Sequence, residues 1–300
     1  RIPWLKTQAA SSGIVMADLR YASFKLIKAS VADGGVGLLQ LASTNNKNAI
    51  NRHTMAEILA CLSQMAADPD VRCIVLASEG KIFCGGIDLE ELSWLTNAGA
   101  DMDTARRAIV IADYVRNFQD FVSAFQRFAK PVIAAVHGAC VGAGIDIITA
   151  CDIRICSKQA LFSVREAKVG LAADVGTLQR LPKVVGCDSW VRDLALTGRD
   201  FGAQEALRHG LVQDVLESAQ DMEASAIALA RQIAANSPLA VTATKASLNY
   251  SRDHTIAEGL EHITLMNQVN LQAPDPIIAL QAMREKKQPA YPSLPTPSKL

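Results

Sequence analysis

Surplus charge is missing from this chain of 300 residues: 30 Lys+Arg balance 30 Asp+Glu, and the pI is near 7.1. Nucleic-acid and membrane-surface partners ordinarily demand a basic excess, so neither is expected. No apolar run approaches the roughly 18 residues of a membrane span. Histidine is scarce at five, none lies near the cysteines in a zinc pattern, and Cys151 and Cys156 lack a second pair. No metal site is expected. The seven cysteines are odd in number and sit mostly in apolar stretches such as "RCIVLA" and "IRIC". They read as reduced, buried thiols of an intracellular protein. Internal repeats are not visible, nor is any linker rich enough to cut the chain into independent domains.

What is present supports one large core, since 50% of the residues are hydrophobic. Strands are expected at 24–30 and 36–42, around the glycine-rich turn "ADGGVG", and at "CIVLAS". Met55, Ile58, Leu59, Leu62 and Met65 form one helical stripe. Ile111, Val115, Phe118, Val122, Phe125 and Phe128 form another, in a helix over roughly 103–129 that Lys130-Pro131 ends. A helix start at 142–150, strands near 153–156 and 161–164, and helices to about 209 continue the pattern. Alternating strand and helix mark an α/β fold. From about 219 the pattern is helical only, with Pro238 and Pro274 as breaks.

Two strand–turn–helix junctions carry chemistry. In "KIFCGGIDL" (81–89) two glycines let the backbone approach a ligand, and Asp88 can cap the helix that begins "LEEL". "GAGIDI" (142–147) is the second junction; it lacks the full dinucleotide fingerprint, so a Rossmann site is poorly supported. Amides from two such junctions are what an oxyanion hole requires, although an ordinary connection explains either one alone.

Three acids, Asp146, Glu166 and Asp174, stand among residues that otherwise read as core or tight turn. A buried, unpaired carboxylate is costly unless it is hydrogen-bonded or protonated. Each has a plain structural explanation. Asp146 caps a helix, Glu166 pairs with Arg165 or Lys168 on the surface, and Asp174 is an N-cap ahead of Val175. Spacing alone does not choose between these and a shared site.

"KIFCGGIDL", "KPVIAAVHGACVGAGIDIITACDIRICS" and "VREAKVGLAADVGTLQRLPKVVG" resemble the crotonase (enoyl-CoA hydratase/isomerase) superfamily over roughly residues 24–290. Asp146 in place of the hydratase glutamate, together with the extra acid Asp174, is most similar to its Δ3,5-Δ2,4-dienoyl-CoA isomerase branch. The resemblance implies a crotonase-like ββα spiral core over 1–220 (1–20 as an extension), a C-terminal helical oligomerisation region over 221–290 and an extended tail over 291–300. It further implies a homotrimer or dimer of trimers.

By the same resemblance, the backbone N–H groups of Ile87 and Ala143 form the oxyanion hole. Asp146 and Glu166 fall where the hydratase has two glutamates. Glu166 would serve carbon 2 of the acyl chain and Asp174 carbon 6, with Asp146 orienting or polarising Glu166. Apolar neighbours (Val169, Leu171, Ala172, Ala173) would raise at least one carboxyl pKa by desolvation, and Gly170 would let the chain fold Glu166 and Asp174 across a pocket. The implied substrate is a fatty acyl-CoA of β-oxidation, whose coenzyme A portion Ala49, Ile50, Gly85, Lys286 and Lys287 would meet. No metal or redox cofactor is called for, coenzyme A being part of the substrate. Arg154, Asp152, His137 and Trp190 read as structural. A 2-enoyl-CoA hydratase or a Δ3-Δ2-enoyl-CoA isomerase is the same-class alternative, and an RNA-binding relative the different-class one. Ser298-Lys299-Leu300 matches the address read by the peroxisomal import receptor, so a peroxisome or related organelle is expected. The first residue is Arg, which leaves mitochondrial targeting open.

Overall fold

The computed structural model describes residues 19–21 and 23–295. The Ser298–Leu300 ending and nearly all of the expected N-terminal extension lie outside them. The strands are β1 (Ile27–Ala32), β2 (Val36–Leu41), β3 (Cys73–Ser78), β4 (Val132–Val136), β5 (Ala139–Val141), β6 (Ile153–Ser157), β7 (Leu161–Ser163), β8 (Asp200–Gly202) and β9 (Asp214–Leu216). The helices are α1 (Arg52–Ala67), α2 (Leu89–Asn97), α3 (Thr104–Arg127), α4 (Ala143–Ala150), α5 (Thr177–Val185), α6 (Asp188–Thr197) and α7 (Ala203–Arg208). Four more follow: α8 (Ala219–Ala234), α9 (Pro238–Ser251), α10 (Ile256–Asn270) and α11 (Asp275–Glu285).

A six-stranded sheet runs in the order β1-β2-β3-β4-β6-β9, antiparallel only between β1 and β2. A smaller sheet, β5-β7-β8, pairs β5 with β7 in parallel and β7 with β8 antiparallel. Successive turns of chain therefore place one strand in each sheet (β4 then β5, β6 then β7) before a helix returns. This is the expected ββα spiral. The short strands β8 and β9 fall outside the sequence expectation, which has helices to about 209 and a helical pattern only from about 219.

β3 is buried along its whole length, as a parallel strand covered on both faces must be. Ile74 and Leu76 face a cluster with Ile58 and Leu62 of α1 and Phe121 and Phe125 of α3. Cys73, Val75 and Ala77 face Met222, Ala226, Ala230 and Ala234 of α8. Alternate residues serve opposite layers, and the alanine stripe on α8 lets that helix lie close to the sheet. The domain division expected at residue 221 thus falls inside a helix that forms one of the core's layers; α8 belongs with the spiral, and only α9–α11 lie beyond it. Among the described residues no helix is long and apolar enough to cross a membrane.

The residues read as structural hold the frame. Asp152 accepts from the Val132 amide and from buried Lys245 Nζ, both at 2.7 Å. Arg154 donates to the carbonyls of Ile148 and Cys151 at the end of α4. His137 bonds the Gly80 carbonyl, and Trp190 Nε1 donates to Glu205. All seven cysteines are free, and six are buried.

Candidate active site

The two junctions are zipped together by main-chain bonds. Cys84 N donates to the Ala139 carbonyl and Val141 N to the Cys84 carbonyl, each at 3.0 Å, so residues 84 and 140 pair as a bridge. On the other side Ile50 N donates to the Gly86 carbonyl (2.8 Å) and Asp88 N to the Ile50 carbonyl (2.9 Å). In a parallel bridge this directs the intervening Ile87 amide away from Ile50. Ala143 opens α4, and first-turn amides have no acceptor inside their helix. Among the described residues neither the Ile87 nor the Ala143 amide donates to a protein acceptor. Asp88 caps α2 as expected, accepting from Glu90 N at 2.9 Å. Burial opposes its ionisation, but the Glu90 amide, Asn51 and Asn46 outweigh it and hold its carboxyl below the usual range.

Gly142 sits where the second junction meets the acids. Its φ of 52° and ψ of −116° belong to glycine, and a Cβ there would lie 3.2 Å from Glu166 Oε1. Glu166 is therefore laid against the residue that precedes the Ala143 amide. It begins a short 3₁₀ turn, Glu166–Val169, closed by Gly170 in the left-handed region at φ 80°. That reversal carries the chain to Asp174, as the sequence predicts.

Glu166, Asp174 and Asp146 line one cleft of about 900 Å³, walled by Ile87, Leu92, Leu95, Tyr114, Phe118 and Val175 among others. Arg165 pairs with Asp200 instead of Glu166, and Glu166 Oε2 is buried without a partner. Burial raises its pKa, and the nearby Asp174 charge adds to this. Asp174 caps no helix, since α5 starts after Gly176. It stays open to solvent on one side, and partial burial still raises its pKa. Asp146 is fully buried; desolvation, reinforced by Glu166, pushes it up to about 7. Its Oδ1 accepts from Thr177 N at 2.5 Å and its Oδ2 has no partner. Asp146 thus caps α5 from α4, and no hydrogen bond joins it to Glu166 among the described residues; of the two expected roles, orienting or polarising, only the electrostatic one has a direct interaction behind it.

Residues 32–293 match the family model "Enoyl-CoA hydratase/isomerase". The chain belongs to the enoyl-CoA hydratase/isomerase family. It is similar to the human mitochondrial Δ3,5-Δ2,4-dienoyl-CoA isomerase, 40% identical over 288 residues, which are 96% of this chain and 88% of that one. The peroxisomal Δ3,5-Δ2,4-dienoyl-CoA isomerase of Arabidopsis thaliana is 38% identical over 275 residues, 91% of this chain and 98% of that one. An enoyl-CoA hydratase structure from Bacillus anthracis superposes with a TM-score of 0.80 at 28% identity, covering 89% of this chain and 99% of that one.

As a member of this family the chain has its three acids and two amides around one cleft, but not every residue expected to meet coenzyme A. Gly85 lines the cleft. Ala49 and Ile50 are buried, and both main-chain polar groups of Ile50 are spent on residues 86 and 88. Lys286 and Lys287 directly follow α11, ahead of a tail that Arg72, at the start of β3, holds through the Tyr291 carbonyl. Neither lysine is among the residues that line the cleft. The scaffold of the acid loop lies outside the sequence expectation. Gln119 Nε2 donates to the Asp174 carbonyl at 2.6 Å, and Arg180 donates to the Val175 carbonyl, Ser123 Oγ and Gln126 Oε1. Positions 119, 123 and 126 recur at helical spacing on α3, a polar stripe beside the apolar one, and that stripe was the available signal.

Proposed function

We propose that this chain isomerises 3,5-dienoyl-CoA to 2,4-dienoyl-CoA in fatty-acid β-oxidation. The observation that carries the reading is the placement of Glu166 and Asp174 on one mainly apolar cleft that also holds the Ile87 and Ala143 amides. The names of the relatives favour the same reaction. The thioester oxygen sits between the two amides, and each such donor supplies about 3–4 kcal/mol of transition-state stabilisation. Glu166, pressed against Gly142, is the acid next to that oxygen. As carboxylate it takes the proton from carbon 2, and the electron pair spreads into a dienolate. Asp174, as carboxylic acid, returns a proton at carbon 6. One carboxylate does not reach both carbons, which explains why the cleft has two. Asp146 holds the start of α5 in place and sets the field at Glu166 without touching it.

Coenzyme A is part of the substrate, and this chemistry calls for no separate metal or redox group. Leu248 on α9 and Ile256, Leu260, Leu265 and Val269 on α10 are exposed apolar side chains and favour a homotrimer or dimer of trimers, in which a neighbour's Lys286 and Lys287 would reach the coenzyme A phosphates. One named relative is mitochondrial and another peroxisomal; the Ser298–Leu300 ending favours the peroxisome. The test is a paired assay of the purified chain with 3,5-dienoyl-CoA and with crotonyl-CoA. Isomerisation far exceeding hydration is expected. Hydration as the main activity would make this a 2-enoyl-CoA hydratase, with Asp174 a bystander.

A further inference from the structure

Asp174 lines two cavities. One is the apolar cleft; the other is a polar, solvent-open basin of about 1130 Å³ behind the acid loop, whose walls include Gln119, Ser123, Gln126 and Arg180. Val175 is shared by both, so residues 174–175 form the partition. Glu166 and Asp146 line only the cleft. Each has one carboxyl oxygen shut off from solvent and without a partner, whereas Asp174 remains open to water. The two proton-transfer acids thus differ in what lies behind them.

We propose, resting on the isomerase reading, that Asp174 is the solvent-coupled acid, recharged from the basin, while Glu166 holds the carbon-2 proton inside the occupied cleft. The step balances without a co-reactant. The C2–H bond breaks and the proton joins the Glu166 carboxylate. The dienolate pair forms the new C6–H bond as the Asp174 O–H bond breaks. Asp174 then takes a proton from water in the basin, and Glu166 loses its own to water once product has left the cleft. No bound substrate need leave for Asp174 to be reset, because the basin reaches it from behind.

The experiment runs the full chain with 3,5-octadienoyl-CoA in deuterium oxide, stops it at partial conversion, and locates deuterium by mass spectrometry and NMR. Nearly every product molecule is expected to carry one deuterium at carbon 6, and unconverted substrate none at carbon 2. Product unlabelled at carbon 6 would mean that one proton is passed between the acids within the cleft, and would overturn the proposal. So would substrate that gains deuterium at carbon 2 faster than product forms, since Glu166 would then exchange freely. Absence of any isomerisation is a third, separate outcome: the isomerase reading falls, and the proposal with it.

Discussion

Replacing Asp174 by Asn separates chemistry from structure at a single atom. The Asp174 carboxyl makes no hydrogen bond to another residue among those described; only its main-chain carbonyl is held, by Gln119. The amide should therefore change fold stability by no more than about 0.5 kcal/mol, the range of an uncoupled surface substitution. Catalysis should fall far more. A positioned general acid contributes a factor of about 10²–10⁴, or roughly 3–5 kcal/mol of barrier. The assay is isomerisation of 3,5-dienoyl-CoA, with kcat and KM measured apart and urea unfolding as the control. We expect kcat lower by at least about 100-fold with KM within about twofold. A second readout is the pH profile: the reactive form needs Asp174 protonated, so the alkaline limb set by its ionisation should be missing from the residual kcat/KM profile of the variant. A variant whose kcat stays within about threefold of the parent would remove Asp174 from the reaction, whatever its effect on stability.

Other substitutions probe the remaining parts. Asp146 ionises near 3.8 when unfolded but at about 7 when buried; between those values the native state binds more protons, so stability falls as pH rises, by up to roughly 4 kcal/mol in all. Asp146→Asn should abolish that decline and be the more stable protein at pH 8, the difference vanishing below pH 4; chemical denaturation across this range would reveal a wrong sign at once. Gly142→Ala forces a side chain into a left-handed conformation and against Glu166 Oε1; a loss of about 1–3 kcal/mol of stability with a large drop in kcat is expected, and a neutral result would show that Glu166 does not lie there. Ile256→Glu with Leu260→Glu, on residues 85% and 62% exposed, should convert the proposed trimer or dimer of trimers to monomer in sedimentation; an unchanged mass would remove this face from the proposed interface.

Much of the fold is legible in the sequence because it rests on burial. The six buried residues of β3 and the aromatic stripe of α3 declare themselves through hydrophobic pattern alone. β8 and β9 do not, since each is a brief run between helices whose pairing partner lies in a distant strand. The role of α8 was hidden for the opposite reason: its buried stripe is alanine, which reads as a helix former before it reads as core.

The site divides along a different line. Glu166 and Asp174 stand out because an acid among apolar residues is a local anomaly, and Gly170 marks the reversal that turns them toward each other. The amides proposed for the oxyanion hole belong to Ile87 and Ala143, whose side chains take no part in that proposal, so only the surrounding glycines mark them in the sequence. Asp146 shows where local reading stops. It looks equally like a cap or a catalytic acid, and the folded chain uses it as a cap for a helix that begins 31 residues later. That bond ties α4, which supplies the Ala143 amide, to α5, which follows directly on the Asp174 loop. The proposed oxyanion hole and the Asp174 loop therefore share one buried anchor. A change at Asp146 should disturb both ends of the cleft together, whereas a change at Asp174 should disturb only one.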